Sequence, residues 1–248
     1  MNNRFHNKPP LRYGMVGGGS TSQIGDSHRA ALRRDSFYEL VAGVFDIDKE
    51  RGRQYGEYLG LDTARVYADY QQMAQTESAR EDGIHVVGIM TPNNTHYKIA
   101  KTFLEAGIHV ILEKPITTTT DDALSLIRLA QEKDLLCASM YCYSGYPMVR
   151  QARAMVAAGE LGEITVVQTE FAHGNCATAV EQHSEGVAWR NDPKTSGGTF
   201  VLGDVGTHAL HLATFITGQQ VREVAADRQS FVRGRVLEDN AHVFLHFE

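Results

Sequence analysis

The chain has 248 residues, with 24 basic against 30 acidic side chains, a formal charge of -6, and 42% hydrophobic and 22% charged residues. That balance suits a globular protein with a sizeable core. It excludes a nucleic-acid surface, where Lys and Arg cluster and outnumber the acids. Cys137, Cys142 and Cys176 form no C-x-x-C pair and have no histidines at zinc spacing, so neither a disulfide framework nor a metal site is expected. No stretch approaches the ~18 apolar residues of a membrane span and the start lacks an apolar signal core. The expectation is a cytoplasmic protein with no membrane partner.

From Leu11 to about Met140, short apolar runs alternate with helical stretches. "LRYGMVGGG" reads as a strand entering a turn and "IGDSHRAALRRD" as the helix after it. "YELVAGVFD" is a second strand, followed by the charged helix "DKERGRQYGEYLG". "VYADYQQMAQTE" supplies a short strand and helix. "IHVVGIMTP", "IHVILEKP" and "LLCASMYCY" are further strands, separated by "NNTHYKIAKTFLEAG" and "TTDDALSLIRLAQEKD". Buried β-branched runs spaced by helices predict βαβ units: a parallel sheet with helices on both faces, over residues 1–141.

The rhythm changes at residue 142. "YPMVRQARAMVAAGELG" is helical, "EITVVQTEFAHG" alternates like a half-exposed strand, and "GDVGTHALHLATFITG" is a helix. "VREVAADRQSFV" and "DNAHVFLHFE" resemble antiparallel strands. Residues 142–248 therefore read as a second, α+β domain with a mostly antiparallel sheet, expected to be incomplete because an edge would stand open.

The turn "VGGGSTSQIGDSH" (residues 16–28) raises the first chemical question. In a dinucleotide-binding turn, one glycine makes the bend and a second admits the pyrophosphate. A third lets helix and strand pack closely, and the helix N-terminus attracts the phosphate. Gly17, Gly18 and Gly19 follow the strand directly, but Ser22 stands where the third glycine belongs. If residues 20–23 form a lip, Gly25 takes the third role. Asp46, at the end of the second strand and about 20 residues beyond Gly25, matches the ribose-binding carboxylate. A carboxylate there favours NAD over NADP, although NADP stays possible. Arg51 and Arg53 read as a solvated helix face. The alternative is a plain glycine turn.

Further motifs lie at strand ends: "TPNNTH" (residues 91–96), "EKP" (residues 113–115) and, downstream, "SGGTFVLGDVGTH" (residues 196–208). In this order the chain resembles the glucose–fructose oxidoreductase / inositol dehydrogenase (Gfo/Idh/MocA) family from about residue 11 to its last residue. "IGxxHR" and "GYPMVRQAR" resemble a subgroup with an insertion in the phosphate loop. The resemblance implies a Rossmann domain and an antiparallel-sheet domain, often used for homo-oligomers. It also implies oxidation or reduction of a sugar, inositol or related polyol with a nicotinamide cofactor. Members run longer than this chain.

The resemblance also assigns residues. Lys114 matches the catalytic lysine, whose ammonium stabilises alkoxide character. His208 matches the acid/base, with an ordinary pKa near 6.5 suited to proton transfer. Asp204, four residues earlier and on the same helix face, orients a substrate hydroxyl. Gly17, Gly19, Ile24, Gly25, Asp46, Thr91, Pro92, Asn93, His96, Glu113, Trp189 and Arg190 are expected on the cofactor, and Tyr143 on the substrate. For His96, Tyr143, Trp189 and Arg190 a packing or surface role is equally open. Lys114–Pro115 reads as a candidate cis peptide, and threonines 117–120 as a capped helix start. Two other readings share the fold: a nucleotide-binding regulator without catalysis, and glycoside cleavage through transient oxidation by NAD.

Overall fold

The computed structural model describes residues 8–174, 176–183 and 188–248. The chain divides into two compact units: residues up to Thr91 with Thr95–Ser139, and Pro92–Asn94 with Met140–Glu248.

In the first unit, strands β1 (Leu11–Gly17), β2 (Tyr38–Val44), β3 (Val86–Met90), β4 (His109–Glu113) and β5 (Cys137–Met140) form one sheet in the order β2-β1-β3-β4-β5. The pairs β1–β2, β1–β3 and β3–β4 are parallel. Helices α1 (Gln23–Arg34), α2 (Lys49–Tyr58), α3 (Tyr70–Ser78), α4 (Asn93–Glu105) and α5 (Thr120–Glu132) connect them. The order reverses between β1 and β3, so the carboxyl ends of these two strands flank the crevice where such sheets take ligands.

Strand alternation sends side chains to two cores. Val16, Val87, Ile89, Val110 and Leu112 meet Ile99, Phe103, Leu104 and Leu126 from the helices on one face. Tyr13, Met15, Val86 and Met90 meet Leu32 and Phe45 on the other. Each such side chain contributes about 1.5–3 kcal/mol by leaving water. A buried ion pair ties the connection before β3. Arg65 forks onto Glu77, which also accepts from the Tyr67 hydroxyl (2.7 Å) and the Ile84 amide (3.1 Å).

The strand expected at "VYADY" is a single bridge from Val66 to Gly43. Asp62 caps a short 3-10 turn at Thr63–Arg65 and Asp69 caps α3, leaving too few residues between them for a ladder. The helix start at the threonine run is present, with the Thr119 side chain accepting from the Asp122 amide. The Lys114–Pro115 peptide is cis.

The second unit contains α6 (Pro147–Ala157), α7 (Pro193–Ser196), α8 (Thr207–Thr217), β6 (Val221–Gln229) and β7 (Asn240–Phe247). β6 and β7 pair antiparallel. Among the described residues they are the whole of this unit's sheet. The expected strand over residues 163–174 forms no ladder, and Val166 is exposed. Alternation alone does not make a strand without a neighbour to take its amides. The helix expected from Gly203 is not one α-helix: a wide π-type turn at Leu202–Gly206 precedes α8. Such turns recur at functional sites. Gly218, in the left-handed region (φ 74°), closes α8.

Two polar anchors hold this unit. The buried Arg235 guanidinium binds Glu181 (3.0 and 2.8 Å), Asp239 (2.9 Å) and the carbonyls of Cys176 and Thr178. The buried Glu238 carboxylate accepts from the amides of Phe200 (2.9 Å) and Leu202 (3.0 Å), pinning the start of the wide turn.

Two substitutions test this packing by equilibrium urea unfolding. A Cβ on Gly25 would lie 2.4 Å from the Gly18 carbonyl oxygen and 2.6 Å from its Cα. Gly25→Ala, which helix propensity alone would favour, is therefore expected to destabilise the chain by about 1–3 kcal/mol. Glu238→Ala strands two buried amides at about 1–3 kcal/mol each, and Glu238→Gln should recover part of the loss.

Candidate functional site

The glycine turn is built by close approach of main chain. Gly17 and Gly18 have positive φ (81° and 71°), and a Cβ on Gly17 would sit 2.3 Å from the Met90 carbonyl oxygen. The chain then turns through Gly19, whose carbonyl accepts from the Ser22 amide at 3.0 Å. Ser22 is the N-cap of α1, its hydroxyl accepting from the Gly25 amide at 3.1 Å. The third-glycine role thus belongs to Gly25, within the first turn of α1 and against Gly18. The lip expected over residues 20–23 is shorter than read from the sequence. Gln23 and Ile24 are already helical, and only Ser20 and Thr21 form the turn. This backbone concavity faces a helix N-terminus, which fits the pyrophosphate of a dinucleotide. Any side chain at Gly17 or Gly25 would fill it.

Behind the turn, the buried Arg29 guanidinium donates to the Gly18 carbonyl (2.5 Å) and to Asp26, and lies over the Tyr55 ring. Asp46 follows β2 with its carboxylate against Arg51, which donates from Nε (3.1 Å) and Nη2 (2.9 Å). The Arg51 hydrogen bond, helped by the Asp48 amide, holds the Asp46 carboxyl below its ordinary pKa. Arg51 is therefore Asp46's partner, whereas Arg53 pairs with Glu50 and Glu57 on the helix face as expected.

At the end of β4, Glu113 has protein partners on both carboxylate oxygens. His28 Nε2 of α1 lies 2.8 Å from Oε1, and the Lys114 amide donates to Oε2 at 3.2 Å. Glu113, expected on the cofactor, thus has internal partners as well. His96 takes the packing alternative left open for it. It is fully buried, with Nδ1 2.8 Å from the Pro115 carbonyl oxygen and Nε2 2.8 Å from that of Thr91. Its ring nitrogens face main chain and have nothing left for a ligand. Burial holds its pKa below the ordinary histidine value, against the pull of the two carbonyls. Lys114, half-buried, stands between these two anchored residues. The Thr91 hydroxyl accepts from Thr95 at 2.7 Å.

Pro92–Asn94 group with the second unit, where the Asn93 amide donates to the Ser196 carbonyl at 3.1 Å. There, Asp204 falls in the wide turn and His208 in the first turn of α8. His208 is buried among aromatic rings: Tyr143 at 4.7 Å, Tyr141 at 5.9 Å and Phe171 at 6.3 Å between centroids. Tyr141 in turn accepts from the Thr207 hydroxyl at 2.9 Å and stacks on His211 at 4.1 Å. Burial lowers the His211 pKa, keeping that ring neutral. Burial, then Cys142, Tyr146 and Asp204, push the Tyr143 phenol up, so it stays a hydrogen-bond donor. Arg190 lies over the Trp189 ring and 3.9 Å from Asp204. The structure therefore brings Asp204, Arg190, Tyr143 and His208 into one neighbourhood.

Sequence reasoning assigned no role to His28, Arg29, Tyr141, Phe171 or Glu238. The "IGxxHR" string contained the first two. Their roles depend on partners at residues 113 and 18, which spacing along the chain does not reveal.

Two family models match: the oxidoreductase family with an NAD-binding Rossmann fold over residues 11–141, and the GFO/IDH/MocA C-terminal domain over residues 149–248. The chain is 47% identical over 243 residues to the uncharacterized oxidoreductase YfiI of Bacillus subtilis, covering 96% of this chain and 62% of that protein. An inositol dehydrogenase homolog of Azotobacter vinelandii complexed with NAD+ superposes with a TM-score of 0.93 at 45% identity, over 96% of this chain and 62% of that one. The same homolog complexed with NADH and myo-inositol gives 0.89 at 44% identity, over 96% and 61%. The chain thus spans about three fifths of the length of these relatives. With both halves matched in order, this chain belongs to the Gfo/Idh/MocA oxidoreductase family.

Proposed function

We propose that the chain is the NAD-binding and proton-handling part of a dehydrogenase acting on a secondary alcohol of a polyol, an inositol or a sugar. The observation that carries this reading is the glycine cradle at the strand-order reversal, on the same sheet whose β4 ends in Glu113 and Lys114. The relative bound to NADH and myo-inositol supports a polyol as the substrate class.

When bound, NAD accepts or returns the hydride, and the protein supplies orientation and charge. Gly17, Gly19 and the first-turn amides at Gln23 and Ile24 hold the pyrophosphate, and Asp46 the ribose hydroxyls. Lys114 offers its ammonium to the reacting oxygen, stabilising alkoxide character as the proton leaves. His208 takes that proton, and its aromatic surroundings keep bulk water from competing. Asp204 accepts a neighbouring hydroxyl, with Arg190 balancing its charge, and Tyr143 donates to the substrate. His96 and Glu113 are support residues in this scheme, not cofactor contacts.

Steady-state assays of the full chain with NAD against a panel of inositols and aldoses test the reading. Lys114→Ala is expected to lower kcat by about 10²–10³-fold, with NADH affinity by fluorescence titration unchanged. Equal turnover in wild type and variant would remove Lys114 from the mechanism. A second measurement addresses the cofactor. Asp46 repels a 2′-phosphate, but Arg51 at 2.9 Å neutralises part of that charge. Arg51→Met should therefore widen selectivity for NADH over NADPH, chiefly by weakening NADPH binding. The same variant should move the Asp46 carboxyl titration upward, because the hydrogen bond that holds it down is gone. Affinity for NADH would then start to fall at a higher pH on acidification than in the wild type.

A further inference from the structure

The residue carrying the proposed chemistry, Lys114, sits on a loop at the end of β4, and loops at strand ends have few main-chain partners of their own. Here both neighbours of the lysine are tied to helices by buried histidines. His28, on α1, lies 2.8 Å from the Glu113 carboxylate, with both side chains largely buried (8% and 13% exposed). The second oxygen of that carboxylate accepts from the Lys114 amide, so the pair holds the lysine's own peptide. His96, on α4, reaches the Pro115 carbonyl on the other side at 2.8 Å. A lysine flanked by two fixed residues has its Cα and its Cα–Cβ direction fixed as well.

We propose that His28 and His96 are positioning residues: two buried histidines that brace the Lys114 loop from opposite sides and aim its ammonium. The proposal rests on the reading of Lys114 given above. His28 belongs to the helix that begins at the glycine turn, three residues after Gly25, so it links the phosphate-binding turn directly to the lysine loop. His96 contacts two carbonyl oxygens, at Pro115 and Thr91, and a neutral imidazole carries one N–H for the two. The brace requires that proton on Nδ1, toward Pro115.

This makes the four side-chain amide and apolar replacements informative. A glutamine amide reaches about where histidine Nε2 stands, and an asparagine amide about where Nδ1 stands. His28→Gln keeps the bond to Glu113, whereas His28→Leu removes it. His96→Asn keeps a donor to the Pro115 carbonyl, whereas His96→Gln can donate only to that of Thr91.

The experiment measures the rate at which Lys114 of the cofactor-free full chain is acetylated by a succinimidyl ester, read by peptide mass spectrometry beside Lys98 and Lys133. In parallel, kcat, KM and NADH affinity are measured for the same variants and for Lys114→Ala. His28→Leu and His96→Gln should change the Lys114 labelling rate several-fold while Lys98 and Lys133 keep theirs. They should lower kcat about tenfold or more with NADH affinity within twofold, as expected of a misaimed group. His28→Gln and His96→Asn should return most of both quantities. If His28→Gln is no better than His28→Leu, and His96→Asn no better than His96→Gln, the histidines only support the fold and the proposal is overturned. Labelling of all three lysines rising together has the same meaning. The two readings separate cleanly: normal turnover in Lys114→Ala removes the lysine's catalytic role, and labelling then decides the brace without reference to activity.

Discussion

The contact between Gly25 and Gly18 sets the geometry from which the rest of the first unit follows. With no side chain at either position, the first turn of α1 lies directly on the main chain leaving β1. That approach brings His28 of α1 to the end of β4 and Arg29 to the Gly18 carbonyl. A helix displaced outward would carry both side chains away from their partners. The glycine turn is therefore a structural datum as well as a cradle. Its anion-binding geometry and the fixing of the lysine loop come from one close approach.

Buried polar groups in this chain are spent on loops, not on the sheets. Burying a polar group without a partner is costly, so such groups persist where their bonds fix something a hydrophobic core cannot. Arg29 fixes the glycine turn, His28 and His96 fix residues 113–115, and Glu77 with Arg65 fixes the connection into β3. In the second unit Glu238 and Arg235 do the same for the wide turn and the segment near Cys176. The apolar clusters fill the space between the sheet and its helices; these anchors choose one arrangement of the connections.

How much of this was legible in the sequence follows from the range of the interactions. The continuous apolar runs of β1 and β3, and the cap in the threonine run, depend on residues a few positions apart, and they were readable. The role of Gly25 was readable because its meaning depends on a nearby strand and a downstream Asp. Residues 163–174 were misread because alternation records a solvent face but not a pairing partner. His96 stayed open between two roles for a related reason: a histidine after a strand-end motif has the same local signature whether it faces a ligand or, as here, two carbonyls. Arg51 looked like surface because helix position says nothing of the carboxylate five residues earlier in the bend.

The second unit shows why its polar groups stand where they do. A wide turn at Leu202–Gly206 spreads the main chain just before α8, and the turn is held by Glu238 at its start and by Thr207 on Tyr141 at its end. Between those two fixed points, Asp204 and His208 differ sharply in environment. Asp204 is about one third exposed beside Arg190. His208 is buried against Tyr143 and Phe171. Packing alone thus gives two polar side chains, four residues apart, unlike surroundings: one beside a guanidinium, one among aromatic rings.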